Sequence, residues 1–238
     1  MLLHESFTEA WYGRMQKARD LVHRASTGAQ RNGSKEKAAL YLTDLAVFDA
    51  AIGSDRVARE ETEAGMKLAL TGEARDEGAL ALAIVGDDTK AEKLANDIQT
   101  LESRDSRARR YWLPAIQAEL ALQRKHPEQA LALLGQAEIV DTLHIHMVPT
   151  YLRGNAYMML HDGNHAAKEF QKFIDRGGVV RNSPFGQLAR VGLARAYAMQ
   201  GDTARARGIY ETFLKDWNDA DSDIPILKQA RSEYAALH

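Results

Sequence analysis

Two histidine pairs are the first residues in this chain whose types and spacing could do chemistry: His144 and His146 in "HIH", and His161 and His165 in "HDGNH". A metal-binding helix places ligands at i and i+4, so that both leave one face. His161 and His165 have that separation, but Gly163 between them marks a turn between helices. The nearest acid, Asp162, lies in the same turn, and the chain has no cysteine to add a thiolate. A polar turn accounts for these residues better than a metal site. The run "SRDSRARRYW", Ser103 to Trp112, sets four arginines beside two aromatics, a composition compatible with nucleic acid. Glu102 and Asp105 dilute its charge, and a solvated helix start is the expectation. No G-K-[ST] phosphate loop is present. No set of acids, histidines or a nucleophile is placed by the sequence on facing helices. The expectation is a noncatalytic chain with no cofactor and no metal.

The composition bounds the elements that could carry such residues. Of 238 residues, 45% are apolar and 27% charged, with only 5 prolines and 6 phenylalanines. That balance, rich in alanine, leucine, arginine and glutamate, favours an all-helical chain. A net charge of −2 with interspersed signs advertises no nucleic-acid surface. The longest apolar run, near "GALALAIVG" from Gly78, falls far short of the roughly 20 residues of a membrane span. "MLLHESFTEA" lacks the basic start and long apolar stretch of a signal peptide. A soluble chain is expected, without membrane insertion of its own.

Self-similarity then organises the helices. A glycine followed five residues later by an alanine recurs as Gly13 with Ala18, Gly53 with Ala58, Gly86 with Ala91, and Gly201 with Ala206. Two more units carry the alanine without that glycine, at Ala130 and Ala166. Successive alanines, at 18, 58, 91, 130, 166 and 206, are separated by 40, 33, 39, 36 and 40 residues. The glycine ends a first helix in a left-handed conformation. Asp202 and Thr203, Asp87 and Asp88, and Ser54 and Asp55 can cap the second helix. The alanine lies where two helices cross too closely for a larger side chain, and Leu134, Phe170 and Tyr210 follow one turn later as knobs. Repetition on this period predicts an all-α solenoid: about six helix pairs in a right-handed superhelix, with no sheet. It reads as one array, degenerate over residues 1–105, clearer over 106–222, and closed by a helix over 223–238. That last helix has Pro225 in its first turn, an inner stripe of Ile224, Leu227, Ala230, Tyr234 and Leu237, and Lys228, Arg231 and Glu233 outside. Only about a dozen residues precede Gly13, fewer than a full first helix needs. A fragment lacking its upstream portion is expected.

The last two units resemble the tetratricopeptide repeat, whose pattern is G-x2-Y…A-x3-F. Gly154, Tyr157, Ala166 and Phe170 match it, and Ala194, Tyr197, Ala206 and Tyr210 match with conservative changes; Ala118, Ala130 and Leu134 fit more loosely. The first three units fit only at the turn and at Ala18, Ala58 and Ala91. "RYWLPAIQAELALQ", "YLRGNAYMML" and the stretch from "NSPFGQLARVGLARAYAMQGD" to "RSEYA" are similar to the C-terminal repeat region of large bacterial serine/threonine protein kinases. "YGRMQKARDLVHRA" is similar to the start of that region, so the resemblance covers nearly the whole chain. Ser222 and Asn218 depart from it within a loop, where the family more often has proline and lysine. In that family a kinase domain comes first, usually then a membrane helix, then the repeats. Related repeat tails follow winged-helix DNA-binding domains in membrane-bound regulators. The catalytic part is missing here: no two of the 17 glycines are spaced as G-x-G, and neither an HRD nor a DFG triplet occurs.

In such a solenoid the first helices line a concave groove. The resemblance therefore places Trp112, Ala115, Glu119 and Gln123, then Tyr151, Asn155, Met158 and Met159, then Val191, Arg195 and Met199 on that surface. A mixed apolar and polar groove of this kind suits an extended or helical peptide. Tyr151 would anchor it, Asn155 would hydrogen-bond its backbone, and Arg195 would supply a charge. The clamp that reads chaperone C-terminal carboxylates is absent, since Ala115, Tyr151 and Val191 occupy its key lysine position. A protein or peptide partner is expected, with no nucleic acid.

Overall fold

A computed structural model describes residues 2–70, 72–104, 106–135 and 146–237. These are all-helical, with 14 α-helices and no strand among the described residues. Five helices open the chain: α1 (Leu2–Trp11), α2 (Met15–Arg31), α3 (Lys35–Ala51), α4 (Asp55–Leu68) and α5 (Gly72–Ile84). Next come α6 (Asp88–Leu101), α7 (Leu113–Gln123), α8 (Pro127–Leu134) and α9 (Val148–Met159). The chain ends with α10 (Gly163–Asp175), the single turn α11 (Gly177–Val180), α12 (Phe185–Met199), α13 (Thr203–Asp216) and α14 (Pro225–Ala235). A wide turn over Ala108–Trp112 leads into α7. The short N-terminal stretch forms α1 and pairs with α2.

One hairpin geometry is used seven times. Gly13, Gly33, Gly53, Gly86, Lys125, His161 and Gly201 all have positive φ, between 55° and 88°. In each, the N–H of the left-handed residue donates to the carbonyl three back and the next N–H to the carbonyl five back, as in Gly201→Ala198 and Asp202→Tyr197, both 3.0 Å. This double bond satisfies the helix's last carbonyls. Five residues after each turn comes an alanine: Ala18, Ala38, Ala58, Ala91, Ala130, Ala166 and Ala206, none more than 1% exposed. The units that looked degenerate in the first half are thus as tightly packed at Ala18, Ala58 and Ala91 as the later ones. They differ in what surrounds the alanine. Ala18 and Ala91 join the main core, whereas Ala58 packs in a small separate cluster with Ala50 and Val85. The two units without glycine keep the turn conformation and place Lys125 and His161 in it, at about 1–2 kcal/mol of backbone strain each. Gly33 and Ala38 carry the same spacing and join one hairpin to the next. Asp87, Asp162 and Asp202 cap the following helices by accepting N–H bonds from Lys90, His165 and Arg205; Ser54 makes no such bond.

Packing follows the chain and then departs from it. Each helix of a hairpin packs on its partner, and the first helices of successive hairpins touch from α3 onward: α3 on α5, α5 on α7, α7 on α9, α9 on α12. Ten consecutive residues of α5, Ala74–Ala83, are buried on every side, as are all but Gln117 of residues 113–122 in α7. Helices enclosed on every side are interior elements, and α5 and α7 carry the charged Arg75, Asp76, Glu77 and Glu119 in with them. The two ends of the chain meet. Trp217 Nε1 donates to the Trp11 carbonyl at 2.8 Å, Asp221 N–H to the Gly13 carbonyl at 3.0 Å, and Ile226 N–H to the Ile52 carbonyl at 3.3 Å. A Cβ on Gly13 would lie 2.6 Å from Ala220 and 2.9 Å from Trp217, which explains why that turn admits no side chain.

Candidate partner-binding surface and the buried centre

Of the residues expected to line an open groove, Trp112, Ala115, Glu119 and Val191 are buried, Tyr151, Asn155, Met158, Met159 and Arg195 are half-buried, and Gln123 and Met199 are exposed. Trp112 is 1% exposed, edge-on to Tyr111 with ring centroids 4.9 Å apart. Glu119 is buried on α7, where burial raises its pKa and Gln123 Nε2 donates to it at 2.6 Å. Gln123 itself is exposed and also reaches the Ile84 carbonyl. Ala115 and Val191 are buried. The Tyr151 ring sits among Phe170, Phe173 and Phe185, with centroids 5.8, 6.5 and 5.2 Å away. Burial lifts its phenol pKa, against the opposing pull of Arg195 and a hydrogen bond to Asn155. Asn155, half-buried, thus gives one of its amide groups to the Tyr151 hydroxyl. Met158 and Met159 are half-buried against the core, and Met199, 37% exposed, is the most open of the set beside Gln123. The repeat alanines Ala18, Ala58, Ala91, Ala130, Ala166 and Ala206 are enclosed at helix crossings and offer a partner no surface.

Arg195 is also committed. Its Nε donates to both oxygens of Glu233 at 3.1 and 3.0 Å, a further nitrogen donates to Gln229 Oε1 at 3.2 Å, and Tyr210 donates to Glu233 Oε2 at 2.7 Å. Glu233, expected on the outside and with its side chain still 38% exposed, thus ties α14 to α12 and α13. Ile224, Leu227 and Ala230 are buried as expected; Tyr234 and Leu237 are only partly so, and Ile226 joins them. Phe170 lies between two glycines: a Cβ on Gly154 or Gly192 would stand 2.5–2.6 Å from its ring. Tyr157 and Tyr197 line equivalent turns, the first stacked on His165 (5.1 Å) and the second under Arg205 (4.3 Å). His165 also pairs with Asp162 at 2.6 Å, and His161 supplies the left-handed turn. His144 lies outside the described residues.

A centre that sequence reasoning missed stands where the ends converge. His146 Nδ1 lies 2.8 Å from Ser183 Oγ, and its Nε2 lies 3.1 Å from Asp44 Oδ1. With the proton on Nε2, the ring donates to Asp44 and accepts from the Ser183 hydroxyl; the tautomer is assigned from this network. Phe7, Phe48 and Phe185 pack around the ring, with centroids 5.9, 4.9 and 6.1 Å away. The three polar residues come from α3, the lead into α9 and the lead into α12. Nothing in their spacing announces them, and two of the three stand outside the helices on which convergent residues were sought. Their accessibility limits what they can do: Ser183 is 0%, His146 3% and Asp44 8% exposed. Nearby, Glu77 accepts from Thr43 Oγ1 at 2.9 Å, and burial with the Asp44 charge pushes its pKa well up. Three or more potential ligands never gather into a metal-holding group among the described residues. No helix among them is long and apolar enough to cross a membrane. Neither a protein-family model nor a curated protein matches the chain.

Proposed function

We propose that this chain is a noncatalytic protein-interaction module of the tetratricopeptide-like class, the repeat tail of a larger bacterial signalling protein, in the first place a serine/threonine kinase. The observation that supports it most is the hairpin turn with its buried alanine, used seven times. Stacked hairpins present long lateral surfaces to a partner instead of one deep cleft. The resemblance to kinase repeat tails, which covers nearly the whole chain and is densest from about Arg110 onward, points the same way. Such a tail holds no nucleotide, so titration calorimetry with Mg-ATP is expected to be flat, and micromolar binding would overturn the reading. The upstream reading frame separates the parents: a kinase domain supports this assignment, a winged-helix domain replaces it. Capture of one partner from the host by the folded chain, absent with the misfolded Ala206→Glu variant, tests the module itself.

The Ser183–His146–Asp44 arrangement favours a second reading, a hydrolase. Serine hydrolases expose the serine and use Nε2 of the histidine to take its proton. Here the hydroxyl is enclosed and faces Nδ1, so a polar tie between three segments fits better. A fluorophosphonate probe is expected to leave the chain unlabelled; labelling abolished by Ser183→Ala would establish the hydrolase.

A further inference from the structure

The arginine run from Ser103 to Trp112 sets three of its side chains along one pocket. Arg104, Arg109 and Arg110 line one pocket of about 350 Å³ with Gln99, Leu113 and Gln117. Arg107, from the same run, is engaged by Glu73 at 3.3 Å, but the other three side chains have no ion pair or hydrogen bond among the described residues. Glu102, which dilutes the run on paper, is turned away and bonded to Arg75 at 2.7 Å. Asp105 lies outside the described residues. Three arginines on one pocket, with no acid paired to their side chains among the described residues, leave forked donors that an arriving carboxylate or phosphate can take up.

The pocket is one end of a longer groove. Through Gln117, the one residue of α7 between 113 and 122 that is not buried, it adjoins a second pocket of about 300 Å³ along α6, α7 and α8. Asn96, Gln117 and Gln129 offer amides there over a floor of Leu120 and Ala121. Amide side chains both donate and accept, which matches a peptide backbone. Arg124 at the far end is already neutralised by Asp88, at 3.1 Å, and by Glu92. From Arg110 to Arg124 the helical rise gives about 20 Å, or about six residues of extended chain. Charge is wanted at one end only, and the run's aromatics, Tyr111 and Trp112, are each 1% exposed. A nucleic acid strand wants phosphate contacts throughout and rings to stack on; the groove provides neither.

We propose that this outer groove on α6–α8, rather than the inner surface of the hairpins, is a binding site for an extended peptide with an acidic or phosphorylated end seated on Arg104, Arg109 and Arg110. The proposal rests on the interaction-module reading and names its surface. The test is fluorescence anisotropy on the full chain with a labelled octapeptide that has glutamates at one end followed by leucine and glutamine. Its controls are a copy with glutamine for every glutamate and a single-stranded DNA of equal charge. The acidic peptide is expected to bind, more weakly as salt rises, and the Arg104→Gln/Arg109→Gln/Arg110→Gln variant to lose about ten-fold or more in affinity. That variant is expected to keep the wild-type melting temperature, and Arg56→Gln, on α4, to bind like wild type. Absence of binding, equal binding of the neutral peptide, indifference to the triple substitution, or equal competition by the DNA would each overturn the proposal. Repeating the host capture with the triple variant separates the two claims: a partner retained by it preserves the module and removes the groove.

Discussion

At the scale of single residues, size and charge decide through their immediate neighbours. Ala206 is fully buried, while Arg205 beside it is exposed, bonded to Asp202 and laid over Tyr197. Ala206→Glu forces a carboxylate into a close helix crossing and is expected to cost more than about 3 kcal/mol. Arg205→Glu loses only surface contacts, and its melting temperature is expected to stay near wild type; equal losses for the two would disprove the packing assigned to the turn. The buried acids add a pH dependence. Burial lifts Asp76 from 3.8 to about 6, against the pull of Arg75. The folded state therefore holds that proton after the unfolded chain has released it. Stability from this group is complete below pH 3.8, falls as pH rises towards about 6, and is level above, a change on the order of 3 kcal/mol. Asp49, Glu77 and Glu119, raised chiefly by burial, act in the same direction. Glu9, held down by its bond to Arg14, opposes them. Melting curves of wild type and Asp76→Asn are expected to diverge across pH 4–6, the variant gaining relative stability as pH rises. A constant difference between them would show Asp76 to be unperturbed.

At the scale of the element, α14 is held by two kinds of contact. Leu227 and Ala230 fill apolar space, and Glu233 gathers Arg195 and Tyr210. Its first turn also reaches the end of α3, where Ile226 bonds to the Ile52 carbonyl and Pro225 covers Gly53. Removing residues 223–238 uncovers the faces of α12 and α13 and leaves Arg195 without its acid. Aggregation on size-exclusion chromatography, with increased dye binding to apolar surface, is the expected result. A truncated chain that stays monomeric and melts like the full one would take away the helix's capping role.

At the scale of the whole molecule, contact between first and last segments distinguishes this chain from an open row of hairpins. Trp217 is fully buried and bonded to Trp11, 206 residues away. An open array would behave as a sum of neighbour terms, and damage near its end would stay there. The closing contacts couple the ends instead. Trp217→Ala, a loss of about 3–5 kcal/mol as a large core truncation, is expected to speed amide exchange in α1 and the start of α2 as well as in α13. Exchange confined to α13 and α14 would show that the closure contributes nothing to stability.

The sequence alone determined the local machinery. A left-handed residue followed five positions later by an alanine is a relation within one turn and the start of one helix, and it holds whatever surrounds it. Ala18, Ala58 and Ala91 kept it where the rest of the repeat pattern had faded. Gly33 and Ala38 obeyed the same rule in plain view, though the forty-residue period passed over them. All-helical composition and the absence of a long apolar helix were legible for the same reason: they are properties of segments. The fate of the inner face was not. Tyr151, Asn155 and Arg195 suit a ligand groove and an interior equally well, because an aromatic ring, an amide and a guanidinium serve either. The choice depends on tertiary contacts, such as Glu233 with Arg195 and the three phenylalanine rings around Tyr151. Ser183, His146 and Asp44 were invisible because long stretches of chain separate them and only tertiary packing brings them together. Tertiary packing likewise turned Glu102 towards Arg75 and set three arginines along one pocket with no acid paired to them among the described residues, which no count of charges along the chain could disclose.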